Sequence, residues 1–216
     1  MNKVLKFSTR NGSNVWFTSD SHYDHAREFL LNPRGFPNDL EGHNKWLVES
    51  YNKVVGINDI VFHLGDVSLA SSQERTESFL NSLNGRIYKI WGNHTSFTRR
   101  IYRDELAKQF SRSDVEVYPL TWNGKVTFIG TQAKIVVDNQ MIILGHFGLR
   151  VWEEAHRGSW NLSGHSHSND VGRNPENPIA KALDVGVDNF RRPISFEEVK
   201  IIMSRKSVEC LDHHRN

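Results

Sequence analysis

Five short segments, each just after a run of β-branched and aromatic residues, constrain this chain most. They are Asp20-Ser21-His22, Gly65-Asp66, Gly92-Asn93-His94, Gly145-His146 and Gly164-His165-Ser166-His167. The runs before them, residues 15–18, 60–63, 86–90, 141–144 and 159–162, read as strands. Ligands of open α/β sheets bind outside the carboxyl ends of the strands, so loops of this kind can converge on one crevice. Residues i and i+2 of extended backbone project to the same side. Asp20 with His22, and His165 with His167, can therefore each send two side chains to one point. The glycines let the backbone turn sharply and approach closely.

The remaining pattern is that of an α/β chain. Residues 40–55 carry Leu40, Trp46, Leu47, Tyr51, Val54 and Val55 at helical spacing. Ser71 with Glu74 predicts a capping box for a helix to about residue 83, and a further helix is expected over 98–110. Strand candidates then follow closely at 115–120, 125–129, 134–137 and 141–144, with Asn123-Gly124 as a hairpin turn. Another lies at 181–185, and Ser195 with Glu198 caps a last helix to about Ser204. Helix-connected strands precede hairpin-connected ones, an order that two packed mixed sheets with helices outside would accommodate. No repeat or linker breaks the chain, and 216 residues at 38% hydrophobic suffice for one core, so a single domain over 1–216 is expected.

The five segments together offer two carboxylates, one amide and five imidazoles. That exceeds a closed four-ligand zinc site, and a lone cysteine, Cys210, leaves no thiolate set to build one. It suits a two-metal site of mixed oxygen and nitrogen ligands, with one carboxylate bridging ions roughly 3.5–4 Å apart. Each motif alone is weak, since Gly-Asn is common turn chemistry. All five in this order, each at a strand end, favour the metal reading. Lys+Arg number 27 against Asp+Glu 25, and a net charge of +2 excludes nucleic-acid binding by charge alone. The longest apolar run is four residues, so no membrane span is expected. The first residues carry no apolar leader, and the single cysteine suits a reducing cytoplasm.

The order D-x-H, GD, GNH, GH, GHxH resembles the calcineurin-like metallophosphoesterase superfamily. The segments FTSDSHYDHA, VFHLGDV, LNGRIYKIWGNH, GHFGLRVWEEAHRGSWNLSGHSH and LDVGVDNFRRPISFEEV resemble its small bacterial and bacteriophage branch. The resemblance implies a four-layer αββα sandwich. It assigns one metal ion to Asp20, His22, Asp66 and His167, and a second to Asp66, Asn93, His146 and His165, with Asp66 bridging. His94 is then no ligand but stabilises charge on the phosphate and protonates the leaving oxygen. The mixed ligand set favours Mn²⁺, with Fe²⁺, Zn²⁺ or Ni²⁺ as alternatives, over Mg²⁺. Two positions depart from the family pattern. Thr95 stands where an acidic residue commonly follows GNH, and Gly148 stands where His-aromatic-Pro is usual, so a looser loop is expected after His146.

The activity implied is hydrolysis of a phosphate ester by in-line attack of a hydroxide bridging the two ions. A phosphodiester of a nucleotide or cyclic nucleotide comes first, then a phosphomonoester. A nuclease reading is third, because no basic groove is evident at net +2. A non-catalytic metal-bound scaffold is the alternative of another class; the complete donor set argues against it. At the margin, His25, Arg150 and His156 are candidates for substrate contact. Arg34 is either a phosphate binder or a surface residue, and His63 either supports the site or packs in the core. His43 reads as exposed, Trp152 and Trp160 as buried.

Overall fold

The computed structural model describes residues 4–94, 120–122 and 124–208, with 120–122 as backbone only. The sequence-predicted helix over 98–110, most of the strand at 115–120, Thr95 and Cys210 lie outside the described residues.

Eleven strands among the described residues form two sheets. They are β1 (Leu5–Phe7), β2 (Val15–Thr18), β3 (Ile60–His63), β4 (Arg86–Lys89), β5 (Leu120–Trp122), β6 (Val126–Phe128), β7 (Gln132–Val137), β8 (Gln140–Gly145), β9 (Trp160–Ser163), β10 (Ala182–Asp184) and β11 (Ile194–Ser195). One sheet runs β11-β2-β3-β4-β6-β5 and the other β1-β7-β8-β9-β10. β2, β3, β4 and β6 are parallel, as are β8, β9 and β10. Their carboxyl ends therefore lie together at one side of each sheet. The helices are α1 (Glu28–Arg34), α2 (Leu40–Asn52), α3 (Gln73–Ser82), α4 (Val187–Phe190) and α5 (Phe196–Ser204).

Alternation along the strands builds two faces. Val15, Phe17 and Phe62 of the first sheet meet Ile135, Val137, Ile142, Leu144, Leu162 and Leu183 of the second in a fully buried layer. Trp16, Val61 and Ile87 turn to the opposite face and pack against Leu47, Tyr51, Phe79 and Leu80 of α2 and α3. Ile143 turns away from the central layer to meet Trp152, Ala155 and Ala182. The result is two mixed sheets face to face, flanked by helices, as the sequence predicts. Trp152 and Trp160 are buried, also as predicted.

Local signals place the helices. Asp39 accepts the Gly42 amide at 2.8 Å and starts α2. Ser195 and Glu198 make the predicted reciprocal capping box of α5. The box predicted at Ser71 is shifted by one residue. Ser72, in extended backbone, accepts the Arg75 amide, so α3 begins at Gln73. α1 carries Pro33 in its last turn and ends on Gly35 in the left-handed region at φ +87°. Neither α1 nor β1 announces itself in the sequence: each is shorter than the window in which periodicity is legible. No described helix is long and apolar enough to cross a membrane.

Candidate metal centre

The loops leaving β2, β3, β4, β8 and β9 meet where the carboxyl ends of the two sheets adjoin, and backbone bonds stitch them together. Asp20 N–H donates to the Gly65 carbonyl at 3.1 Å, and His22 N–H to the Asp66 carbonyl at 2.9 Å. Gly164 N–H donates to the His146 carbonyl at 3.0 Å, and Val187 N–H to Ser19 at 3.1 Å. Asp20, His22, Asp66, His165 and His167 all adopt positive φ, between +48° and +70°. For side-chain-bearing residues this is strained backbone, and it persists because the surrounding bonds hold it.

Side chains converge accordingly. His22 Nε2 lies 3.6 Å from Asp66 Oδ2 and 4.0 Å from Asp20 Oδ1. His146 Nε2 lies 3.4 Å from the same Asp66 Oδ2. Asp66 thus faces a histidine of each sheet, while its Oδ1 accepts the His94 N–H at 2.8 Å. Asp20, His22 and His167 form one group able to hold a cation, and Asp20, Asp66 and His146 another. Asn93 Oδ1 is 2.7 Å from His146 Nε2. The His165 ring sits 5.1 Å from that of His146, and the His94 ring 5.4 Å from that of His22. All eight sequence-predicted residues of the centre are therefore brought together.

The donor atoms fit a metal ion better than they fit one another. Asp20 Oδ1 and His22 Nε2 are buried without a hydrogen-bond partner, which is costly for polar groups. His146 Nδ1 lies 2.8 Å from the Leu64 carbonyl, which can only accept, so the proton sits on Nδ1. In the neutral ring Nε2 and Asn93 Oδ1 then face each other as two lone-pair atoms, an arrangement that a shared cation satisfies. Burial holds His22 well below the usual imidazole range, against the pull of Asp66, which keeps its lone pair available. Burial also raises Asp20 to about 6 despite His146 and His167. At Asp66, burial is outweighed by His146 and the His94 amide, and the carboxyl is held far below its ordinary value.

Glycines make the approach possible. A Cβ on Gly92 would overlap Asp66 Oδ1 and stand 2.5 Å from Asp66 N, and one on Gly164 would overlap Ser19 Oγ and Asp20 Oδ2.

Residues behind the centre orient it. His167 Nδ1 donates to Asp188 Oδ2 at 2.8 Å, which leaves Nε2 for the cluster. Asp188 is gripped by Arg34 through Nε at 2.7 Å and Nη2 at 2.8 Å. The guanidinium also donates to the carbonyls of Asp20 at 2.7 Å and Ser21 at 3.0 Å, and Nη1 lies 3.0 Å from His43 Nε2. Arg34 is 1% exposed, so it is neither a surface residue nor free for substrate. His43, read as exposed, is fully buried because the same guanidinium needs an acceptor there. His63 is buried with Nε2 2.8 Å from Ser21 Oγ. Asp188 and Arg34 carry no metal-ligand spacing and escape a motif search. Asp188, however, follows β10 as the motifs follow their own strands, and that placement was the available signal.

Of the substrate candidates, His25 sits beside the cluster, its Nδ1 3.2 Å from His22 Nδ1. Arg150 is exposed on the segment after Phe147. His156 lies on the turn Ala155–Arg157, whose Ala155 packs on the outer face of the second sheet. The loop after His146 is not loosened by Gly148. Leu149 N–H donates to Asn161 Oδ1 at 3.0 Å, and Arg173 holds the Leu149 carbonyl and donates to Asn161 Oδ1 at 2.8 Å. A Cβ at 148 would overlap the Arg173 guanidinium, so the glycine makes room for the residue that fastens the loop.

A gene 66 protein of Mycobacterium phage D29 is 29% identical over 205 residues, covering 87% of this chain and 94% of its own length. The uncharacterized protein MJ1445 of Methanocaldococcus jannaschii is 26% identical, covering 92% and 96%. The solved structure of AQ665 from Aquifex aeolicus, a protein of unknown function, shares the fold at a TM-score of 0.56 and 19% identity, covering 88% of this chain and 99% of that one. The family description that matches residues 13–188 is that of the calcineurin-like phosphoesterases, and its match spans every loop that builds the centre. The chain belongs to the calcineurin-like phosphoesterase family.

Proposed function

We propose that this protein is a two-metal phosphodiesterase acting on a nucleotide or cyclic nucleotide. The observation that carries the reading is the pair of buried, unpartnered atoms, Asp20 Oδ1 and His22 Nε2, 4.0 Å apart, with His22 Nε2 3.6 Å from Asp66 Oδ2. Asp20, His22, Asp66 and His167 would hold one ion, and Asp66, Asn93, His146 and His165 the other, with Mn²⁺ the first choice. Divalent cations bound there supply charge to offset the phosphoryl oxygens and bring a water's pKa toward neutrality.

The chain's own groups do the rest. Asp66 is fixed by the His94 amide on Oδ1, so Oδ2 stays turned to both histidines. Asp188 sets the tautomer of His167, and the Leu64 carbonyl sets that of His146. The His94 imidazole stands at the rim beside His22 and His25 and gives its proton to the leaving oxygen. The setting is a cytoplasm, that of a phage host if the gene is a phage's, and the partner a small phosphorylated molecule rather than a nucleic acid.

The test is hydrolysis of a chromogenic phosphodiester and its monoester by metal-stripped protein reloaded with Mn²⁺, with Asp66→Asn and His94→Ala alongside. Metal-dependent diester turnover that collapses in both variants is the expected result. Faster monoester turnover would transfer the assignment to a phosphomonoesterase. Two bound equivalents without turnover of either ester would favour a scaffold, and absence of metal binding would overturn the reading.

A further inference from the structure

We propose that Phe147 is a stacking platform for a planar group carried on the ester substituent of the phosphate, so that the substrate class is a nucleotide or another phosphate ester bearing an aromatic group. This rests on the phosphoester reading above and deepens it. Phe147 directly follows His146, yet the residue is 54% exposed. The ring lies 4.5 Å from that of His165 at 62°, and 5.1 Å from that of His146 at 72°. It therefore meets two histidines of the centre edge-on and leaves apolar surface open beside them. A phosphoryl group held at those histidines carries its substituent a few bonds away, within reach of a neighbouring ring.

The exposure is built in. The backbone before Phe147 is held by the Gly164 amide on the His146 carbonyl. The backbone after it is held by Asn161 and Arg173 on both polar groups of Leu149. Arg173 is 7% exposed and occupies the space that a side chain at 148 would need. An aromatic ring fixed in the open beside a polar cluster loses little freedom when a flat group covers it. Stacking on a phenyl ring favours flat groups without selecting among bases, because every base has a π-face. The inference therefore names an aromatic substituent and not a particular base.

The experiment titrates Mn²⁺-loaded protein with adenosine 5′-monophosphate, ribose 5-phosphate and inorganic phosphate by calorimetry, for the native chain, Phe147→Ala and Phe147→Trp. The native chain is expected to bind the adenosine ester about tenfold more tightly than the ribose ester. Phe147→Ala should abolish that preference while phosphate affinity is unchanged, and Phe147→Trp should keep it. Equal binding of the two esters by the native chain, or a preference that survives in Phe147→Ala, would overturn the proposal while leaving the phosphoester reading standing. Failure of all three ligands to bind, phosphate included, would overturn that reading and this inference with it.

Discussion

Arg34 and Asp188, 154 positions apart, form a two-pronged ion pair directly behind the candidate metal centre, with Nε to Oδ1 at 2.7 Å and Nη2 to Oδ2 at 2.8 Å. The pair joins the loop of Asp20 and His22 to the carboxylate that orients His167. Lysine cannot reproduce the planar fork. Arg34→Lys should lower Mn²⁺ affinity by about 10–100-fold, as loss of an outer orienting group does. Arg34→Ala leaves the half-buried Asp188 carboxylate with His167 as its remaining side-chain partner and should cost up to about 3–5 kcal/mol of stability. Metal titration and denaturant unfolding read the two effects separately. Unchanged metal affinity in Arg34→Lys would show that the pair only holds the fold.

Gly92 gives a steric test of the same centre. A Cβ at 92 would stand 2.5 Å from Asp66 N, where there is backbone to displace and no flexible side-chain end alone. Gly92→Ala should push the β3 and β4 loops apart, abolish tight Mn²⁺ binding and cost about 1–3 kcal/mol. Calorimetric stoichiometry and an unfolding midpoint check it.

Two buried histidines make the metal-free protein acid-sensitive. Burial, helped by Arg34, lowers His43 to about 4, and burial, helped by Lys89, lowers His63 to about 3. Both ordinarily titrate at 6.5. Between about pH 6.5 and 4 the unfolded chain therefore binds protons that the folded chain refuses, and stability falls as the pH falls. Each group contributes a slope on the order of 1.4 kcal/mol per pH unit in that window. His43→Gln and His63→Gln should each show a shallower decline, measured by denaturant unfolding of metal-free protein from pH 7 to pH 4.5. Parallel slopes for native and variant would refute the assignment.

A distant control separates fold from centre. Ser195 caps α5 through the Glu198 amide at 3.2 Å. Ser195→Ala should lower stability by about 1 kcal/mol while metal stoichiometry stays that of the native chain. Altered stoichiometry in this variant would mean that global stability, not local geometry, governs loading.

The chain's linear order was enough to determine the α/β class, most strands to within a residue or two, the α5 capping box and the eight residues that converge. The reason is local. Strand propensity, alternation and ligand chemistry lie within short windows, and strand-end loops of parallel sheets are bound to share one side. Only the tertiary structure decided what surrounds that cluster. Arg34, read as a surface or phosphate-binding residue, is buried because Asp188, Asp20, Ser21 and His43 arrive from distant positions to take its donors. Gly148, read as a weak point, leaves space for Arg173, which lies 24 residues beyond the carbonyl of Leu149 that it holds. Hydrogen-bond satisfaction of a buried charge is a property of everything packed around it, and no local window of sequence contains it.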